Sequence, residues 1–229
     1  MTVTPAEPHP YDIGLRFILT LLGATVPKPL RLDLNAPGAL WQSADMPSAN
    51  MGIDLVRLGS APDELAILGR FPAGFERSEA GGYDVAESFI VLSGALHLEG
   101  MTASRGTLCF LPAGLSRSPM RAPQGCLVLA WFGGLAHFRP ARQLTAPAEG
   151  AMSAVQIPRK EVDSPVLVTS DATWWIVHAR DIDSFRGEVD VVDLALTSWA
   201  RVTPGATPVM SSGPLLARVP IAATRATPL

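Results

Sequence analysis

From Gly74 to Gly94 the chain reads GFERSEAGGYDVAESFIVLSG, and from Gly106 to Arg121 it reads GTLCFLPAGLSRSPMR. Glycines and a Pro-x-Gly step (Pro112 to Gly114) punctuate short apolar runs, as tight turns between short strands do. Glu87, Phe89 and Val91 alternate along the first stretch, and alternate positions of a strand share one face. A carboxylate on the same face as large apolar side chains points toward a core. Burying it alone is very costly, so it must meet a cation or a cluster of donors there.

The same punctuation runs outward through the rest of the 229 residues. Gly and Pro together make 41 positions, spread along the chain rather than gathered in one block. Short apolar runs lie between them, at Gly52–Gly59, Leu65–Phe71, Leu127–Phe132, Trp174–Ala179, Glu188–Trp199 and Leu215–Ile221. This pattern predicts an all-β sandwich or barrel. A helix is expected only at Tyr11–Leu22, where Ile13, Phe17, Leu21 and Leu22 share a helical face. Ala, Pro, Gly and Gln between 139 and 159 read as a linker. The expected layout is an N-terminal extension (1–37), a β-barrel (38–138), that linker, and a C-terminal β segment (160–229). Trp41 before Gly74, and Trp174 before Gly205, echo each other at nearly equal spacing. The C-terminal segment is therefore read as an incomplete, degenerate second β-unit.

Composition narrows the function. Eighteen basic against 21 acidic residues give a net charge of −3, without the basic stripe that nucleic acid requires. With 48% hydrophobic and 17% charged residues the chain has enough apolar surface to fold around a sizeable core. The early apolar run Phe17–Leu22 is too short for a bilayer and lacks a signal peptide's layout, so no membrane partner and a cytoplasmic location are expected. Cys109 and Cys126 both sit in apolar segments and are expected to be buried free thiols. Neither a G-x-S-x-G elbow nor a glycine-rich phosphate loop is present.

The two opening stretches resemble the cupin superfamily, the RmlC-like jelly rolls. The first fits G-x5-H-x-H-x4-E-x6-G with Gly74, Glu87 and Gly94 in place. The second fits G-x5-P-x-G-x2-H-x3-N with Gly106, Pro112 and Gly114 in place. The pieces VLSGALHLEG, FLPAGLSRSP and QGCLVLAWF also resemble the cupin half of ChrR-like anti-sigma proteins. The resemblance covers roughly residues 38–135 and implies a cupin-type antiparallel β-barrel. In the family, three histidines join the glutamate as metal ligands. Here those three positions hold Ala80, Gly82 and Arg117, and the terminal Asn position holds Arg121. Ala and Gly carry no ligand atom and Arg stays cationic, so no metal and no other cofactor are expected.

A guanidinium set where a ligand would point inward can pair with the Glu87 carboxylate. That pair either serves structure alone or leaves spare donors for an anion. The functional version is a metal-independent cupin for a small, anionic organic molecule, leaning to an isomerase, cyclase or lyase. Glu87 and Arg117 are its catalytic candidates, with Glu87 as acid or base and Arg117 and Arg121 stabilising negative charge. Tyr83, His97, Phe89, Phe110 and Trp131, with Arg121, are the expected ligand-binding residues. For His97 a hydrogen-bonded structural role, and for Tyr83 a surface loop, are the alternatives. A non-catalytic sensory or regulatory cupin is the second reading, and a metal-dependent dioxygenase the third. Exposed strand edges lead to the expectation of a homodimer.

Overall fold

The computed structural model describes residues 31–35, 38–58, 64–117, 119–144, 148, 150–203 and 213–221. The expected helix at Tyr11–Leu22 lies outside them. Along the chain come β1 (Arg31–Asp33), β2 (Gln42–Ala44), β3 (Ile53–Arg57), β4 (Leu65–Phe71), β5 (Phe75–Arg77) and β6 (Gly81–Tyr83). They are followed by β7 (Glu87–Leu98), β8 (Met101–Ser104), β9 (Thr107–Leu111), β10 (Met120–Ala122), β11 (Cys126–Phe132) and β12 (Phe138–Pro140). The last six are β13 (Ser153–Gln156), β14 (Leu167–Val168), β15 (Ala172–Val177), β16 (Val189–Asp193), β17 (Ser198–Val202) and β18 (Leu215–Pro220). The helical elements among the described residues are short 3-10 turns.

All the pairings are antiparallel. One sheet runs β13-β9-β7-β11-β4-β3-β2, with β5, β8 and β10 attached off that path, and a second runs β1-β17-β16-β18-β15-β14. Neither closes on itself into a barrel. A separate ribbon pairs β6 with β12. β1, from the stretch before residue 38, forms an edge of the second sheet, Leu32 lying opposite Trp199. β13, within 139–159, forms an edge of the first, opposite β9.

Strand alternation sorts side chains into separate cores. In β7, Phe89 and Val91 enter a core inside the first sheet, while Ile90 and Leu92 face the second sheet. The second sheet sends Trp174, Ile176, Val192, Trp199 and Leu216 to meet them. Its opposite face carries Val177, Val191, Ala200, Val202 and Ala217 into a third, wholly apolar core. Burial of this extent, at about 25 cal/mol per Å² of apolar surface, is the main favourable term holding the layers together.

A bulge in β7 sets the geometry of the site. Leu127 and Val128 of β11 are consecutive, yet they face Ser93 and Val91, leaving Leu92 as an extra residue. Such an insertion exchanges the faces of everything beyond it. Inward positions are odd up to Val91 and even from Leu96 and Leu98 onward. Gly94 follows the bulge at φ +71°, and a Cβ there would lie 2.2 Å from the Gly125 carbonyl oxygen. Only glycine tolerates that backbone and that approach.

The layer between the sheets holds a buried charge network. Asp190 accepts from Trp131 Nε1 at 2.6 Å and from both Nε and Nη2 of Arg201, at 2.8 and 2.7 Å. Arg218 binds Glu64 and, at 2.8 Å, Asp171. Burial pushes the Glu64 carboxyl above its ordinary value, with Arg218 pulling against it. Trp131 and Trp174 meet edge to face with centroids 5.0 Å apart.

Candidate functional site

The inner face of the first sheet encloses a cavity of about 50 Å³. Apolar side chains make most of its wall, among them Ile67, Phe71, Phe89, Leu96 and Phe132, and its polar residues are Arg77, Tyr83, Glu87 and Arg117. Each reaches the cavity for a local reason. Glu87 opens β7 on the same face as Phe89. Arg117 is pinned by a two-way backbone bridge to Gly81, at 3.0 and 2.9 Å. Arg77 follows Phe75 by two residues in β5, and both are buried.

Arg117 Nη2 lies 2.6 Å from Glu87 Oε2, the two side chains 3% and 12% exposed. The atoms touch without an aligned N–H, so Glu87 Oε2 and Arg117 Nε have no hydrogen-bond partner among the described residues. Arg117 stacks over the Tyr83 ring at 4.8 Å, and Arg77 stacks over Phe138 at 4.4 Å. Tyr83 is held edge to face against Phe132 at 5.3 Å. Arg77 is 1% exposed, and its Nη1 also lacks a hydrogen bond. Burial pushes its guanidinium below the ordinary arginine value; Tyr83 and Glu87 raise it again and Arg117 lowers it. Two guanidiniums and one carboxylate therefore face one small cavity.

Of the residues singled out from sequence, Glu87, Arg117, Tyr83 and Phe89 meet here. Four others lie elsewhere. Arg121 does not join Arg117 in stabilising charge there: β10 begins at Met120, and the two arginines do not lie on one continuous strand. Met120 and Ala122 point inward, while Arg121 is exposed and bound to Glu76 at 2.9 Å. His97 lies past the β7 bulge, where odd positions face outward; it contacts Thr102 Oγ1 at 2.9 Å and pairs across from Arg121. Trp131 belongs to the layer between the sheets. Phe110 is buried on β9 between the inward-facing Cys109 and Leu111 and is not part of the cavity wall. Arg77 was missed. Its signal was the alternation of Phe75 and Arg77.

Cys109 and Cys126 are buried free thiols, both pushed up to about 12 by burial. Among the described residues no group of three or more His, Cys, Asp or Glu could hold a metal ion. Glu76 is bound to Arg121, Glu79 to Ser48 and Asp84 to His137. A larger open groove of about 960 Å³ runs past Trp41, Asp54 and Arg70 and contains neither Glu87 nor Arg117. Its Arg70 is bound to Asp54 at 2.7 Å and stacks on Trp41 at 4.4 Å.

Two solved structures resemble the whole chain. One is a "putative dioxygenase" from Nostoc punctiforme, 14% identical with a TM-score of 0.55, covering 89% of each chain. The other is a "putative glyoxylate induced protein" from Pseudomonas aeruginosa, 11% identical with a TM-score of 0.53, covering 99% of this chain and 97% of that one. The chain has the cupin fold. At such identities the likeness reaches the fold and no further. No family matches the sequence, and no curated protein does.

The cupin fold raises the question of a metal, and the residues here do not fit one. Ala80 and Gly82 offer no ligand atom, and a Cβ on Gly82 would lie 2.1 Å from the Leu115 carbonyl oxygen. A histidine cannot enter there without moving backbone. Arg117, which the resemblance sets at the third ligand position, carries a guanidinium, which repels a cation and has no lone pair to donate.

Proposed function

We propose that this cupin binds a small anionic organic molecule in the Glu87–Arg117 cavity without a transition metal, and that Glu87 moves a proton on it. The observation that carries this reading is the Arg117 guanidinium, 3% exposed, set against Glu87 at 2.6 Å at a position where the family has a metal ligand. A fixed cation in a dry pocket stabilises a carboxylate or an enolate at the point where charge develops. Glu87, on the same face, is within reach of a proton next to that charge. Tyr83 and Phe89 wall the bound molecule. The reaction class is proton transfer of the isomerase, cyclase or lyase type. We also propose that the protein acts as a cytoplasmic homodimer; among the described residues no helix is long and apolar enough to cross a membrane.

The sequence pieces that resemble ChrR-like cupin halves favour a second reading, a sensory module that binds the same anion without turnover. One experiment separates the two. Thermal unfolding is followed with a series of carboxylates from formate to succinate at fixed ionic strength, together with deuterium uptake from D2O into any that bind. Proton-transfer catalysis predicts a raised Tm, and deuterium uptake that Glu87→Gln abolishes with affinity kept within a few-fold. A raised Tm without deuterium uptake identifies the binding module. No shift with any carboxylate contradicts both.

A further inference from the structure

The cavity's unmet polar groups specify the ligand more closely, an inference that rests on the anion-binding reading above. Three residues of one wall each leave a buried atom without a hydrogen bond: Arg77 Nη1, Arg117 Nε and Glu87 Oε2, the last held by its 2.6 Å ion contact to Arg117 Nη2. Hydrogen-bonding capacity left open on three side chains of one cavity favours a polar occupant. Two are donors on cations and one is an acceptor on an anion. Their charges sum to a single positive charge, which a monoanion neutralises. About 50 Å³ is room for roughly four waters, or a molecule of about five non-hydrogen atoms.

We propose that the cavity is a site for a small 2-hydroxy monocarboxylate of glycolate size. Its carboxylate is taken by Arg77 and Arg117, and its hydroxyl donates to Glu87. The carboxylate answers the two orphan donors, the hydroxyl answers the orphan acceptor, and one negative charge balances the site. An unsubstituted acid such as acetate brings no hydrogen-bond donor to Glu87 Oε2. A dicarboxylate such as oxalate brings a second negative charge against Glu87.

Arg77 is the distinctive element. Among the described residues no carboxylate lies within ion-pair distance of it, although it is 1% exposed. A buried cation with no carboxylate within ion-pair distance is a cost to the fold, which an anionic ligand offsets. Arg77→Met keeps an unbranched apolar stem and removes the guanidinium, and with it that cost.

The test is calorimetric titration of the full-length protein with glycolate, acetate and oxalate at pH 7 and constant ionic strength, repeated on Arg77→Met. Glycolate is expected to bind at least about tenfold more tightly than acetate, the scale of one unmet buried hydrogen bond, with oxalate weaker than glycolate. Arg77→Met is expected to lose glycolate binding while its Tm stays level or rises. Equal affinity for acetate and glycolate, or tighter binding of oxalate, overturns this assignment and leaves the anion-binding reading standing. A fall in the Tm of Arg77→Met with glycolate binding retained makes Arg77 a structural residue and also overturns it. Failure of all three acids to bind removes the inference; a null result with the wider carboxylate series removes the reading beneath it. The ranking on the unaltered protein decides even if Arg77→Met does not fold.

Discussion

Trp131 of the first sheet donates its indole N–H to Asp190 of the second at 2.6 Å, across the layer between the sheets. Asp190 also accepts two bonds from Arg201, so one carboxylate joins both sheets and two partners. Asp190→Asn removes the charge and leaves Arg201 with Glu64, at 3.4 Å, as its remaining anion, at a site where Asp190 is 2% exposed. Breaking a buried pair in this way costs about 3 kcal/mol or more. At roughly 2–4 °C per kcal/mol for a chain of this size, Tm should fall by about 6–12 °C. Calorimetry checks it, and a fall under about 2 °C contradicts a clamp between the sheets.

Glu64 gives the same network a pH dependence of defined sign. Burial raises its carboxyl above 4.5 in the fold, so the folded state prefers the neutral acid. Its contribution is present below pH 4.5 and is lost as pH rises through the folded value. Glu64→Gln is neutral at every pH and loses nothing over that window. Urea midpoints measured from pH 4 upward should therefore move in favour of the variant relative to the native chain, then level off. A gap that moves the other way contradicts the assignment.

Gly82 carries the argument against a histidine at its position. Since a Cβ there would sit 2.1 Å from the Leu115 carbonyl oxygen, even Gly82→Ala must displace backbone. Overpacking of this kind costs about 1–3 kcal/mol. Chemical denaturation of that variant measures the loss directly. An alanine accepted without loss would mean that position 82 has room for a side chain.

The legible parts of this protein are those where the two faces of a strand differ or the backbone demands glycine. Glu87, Phe89 and Val91 showed their common face, and Gly94, which reads as a turn, stands beside the bulge inside β7 at a backbone that only glycine tolerates. The illegible parts have stated causes. Every residue of β9 is buried, and six of the seven in β11 are, so alternation between apolar and polar residues is missing there. Phe110 and Trp131 were each one residue away from the inward-facing positions Leu111 and Ala130 for that reason. His97 was misplaced by the extra residue at Leu92, which no local composition announces. Arg77 sits between Glu76 and Ser78 in what reads as a polar loop, and only its step of two from Phe75 reveals the inward turn. The closing of the second sheet by Leu32, from a stretch read as an extension, depends on pairing across more than 160 residues of chain.

We propose that Arg117, set against Glu87, takes the place of a metal ligand. Elemental mass spectrometry of untagged protein, purified without chelator, tests it most directly. The account predicts far less than one equivalent of iron, zinc, manganese, nickel or copper per chain. A near-stoichiometric amount of any of them, lost together with Glu87 in Glu87→Gln, would contradict it.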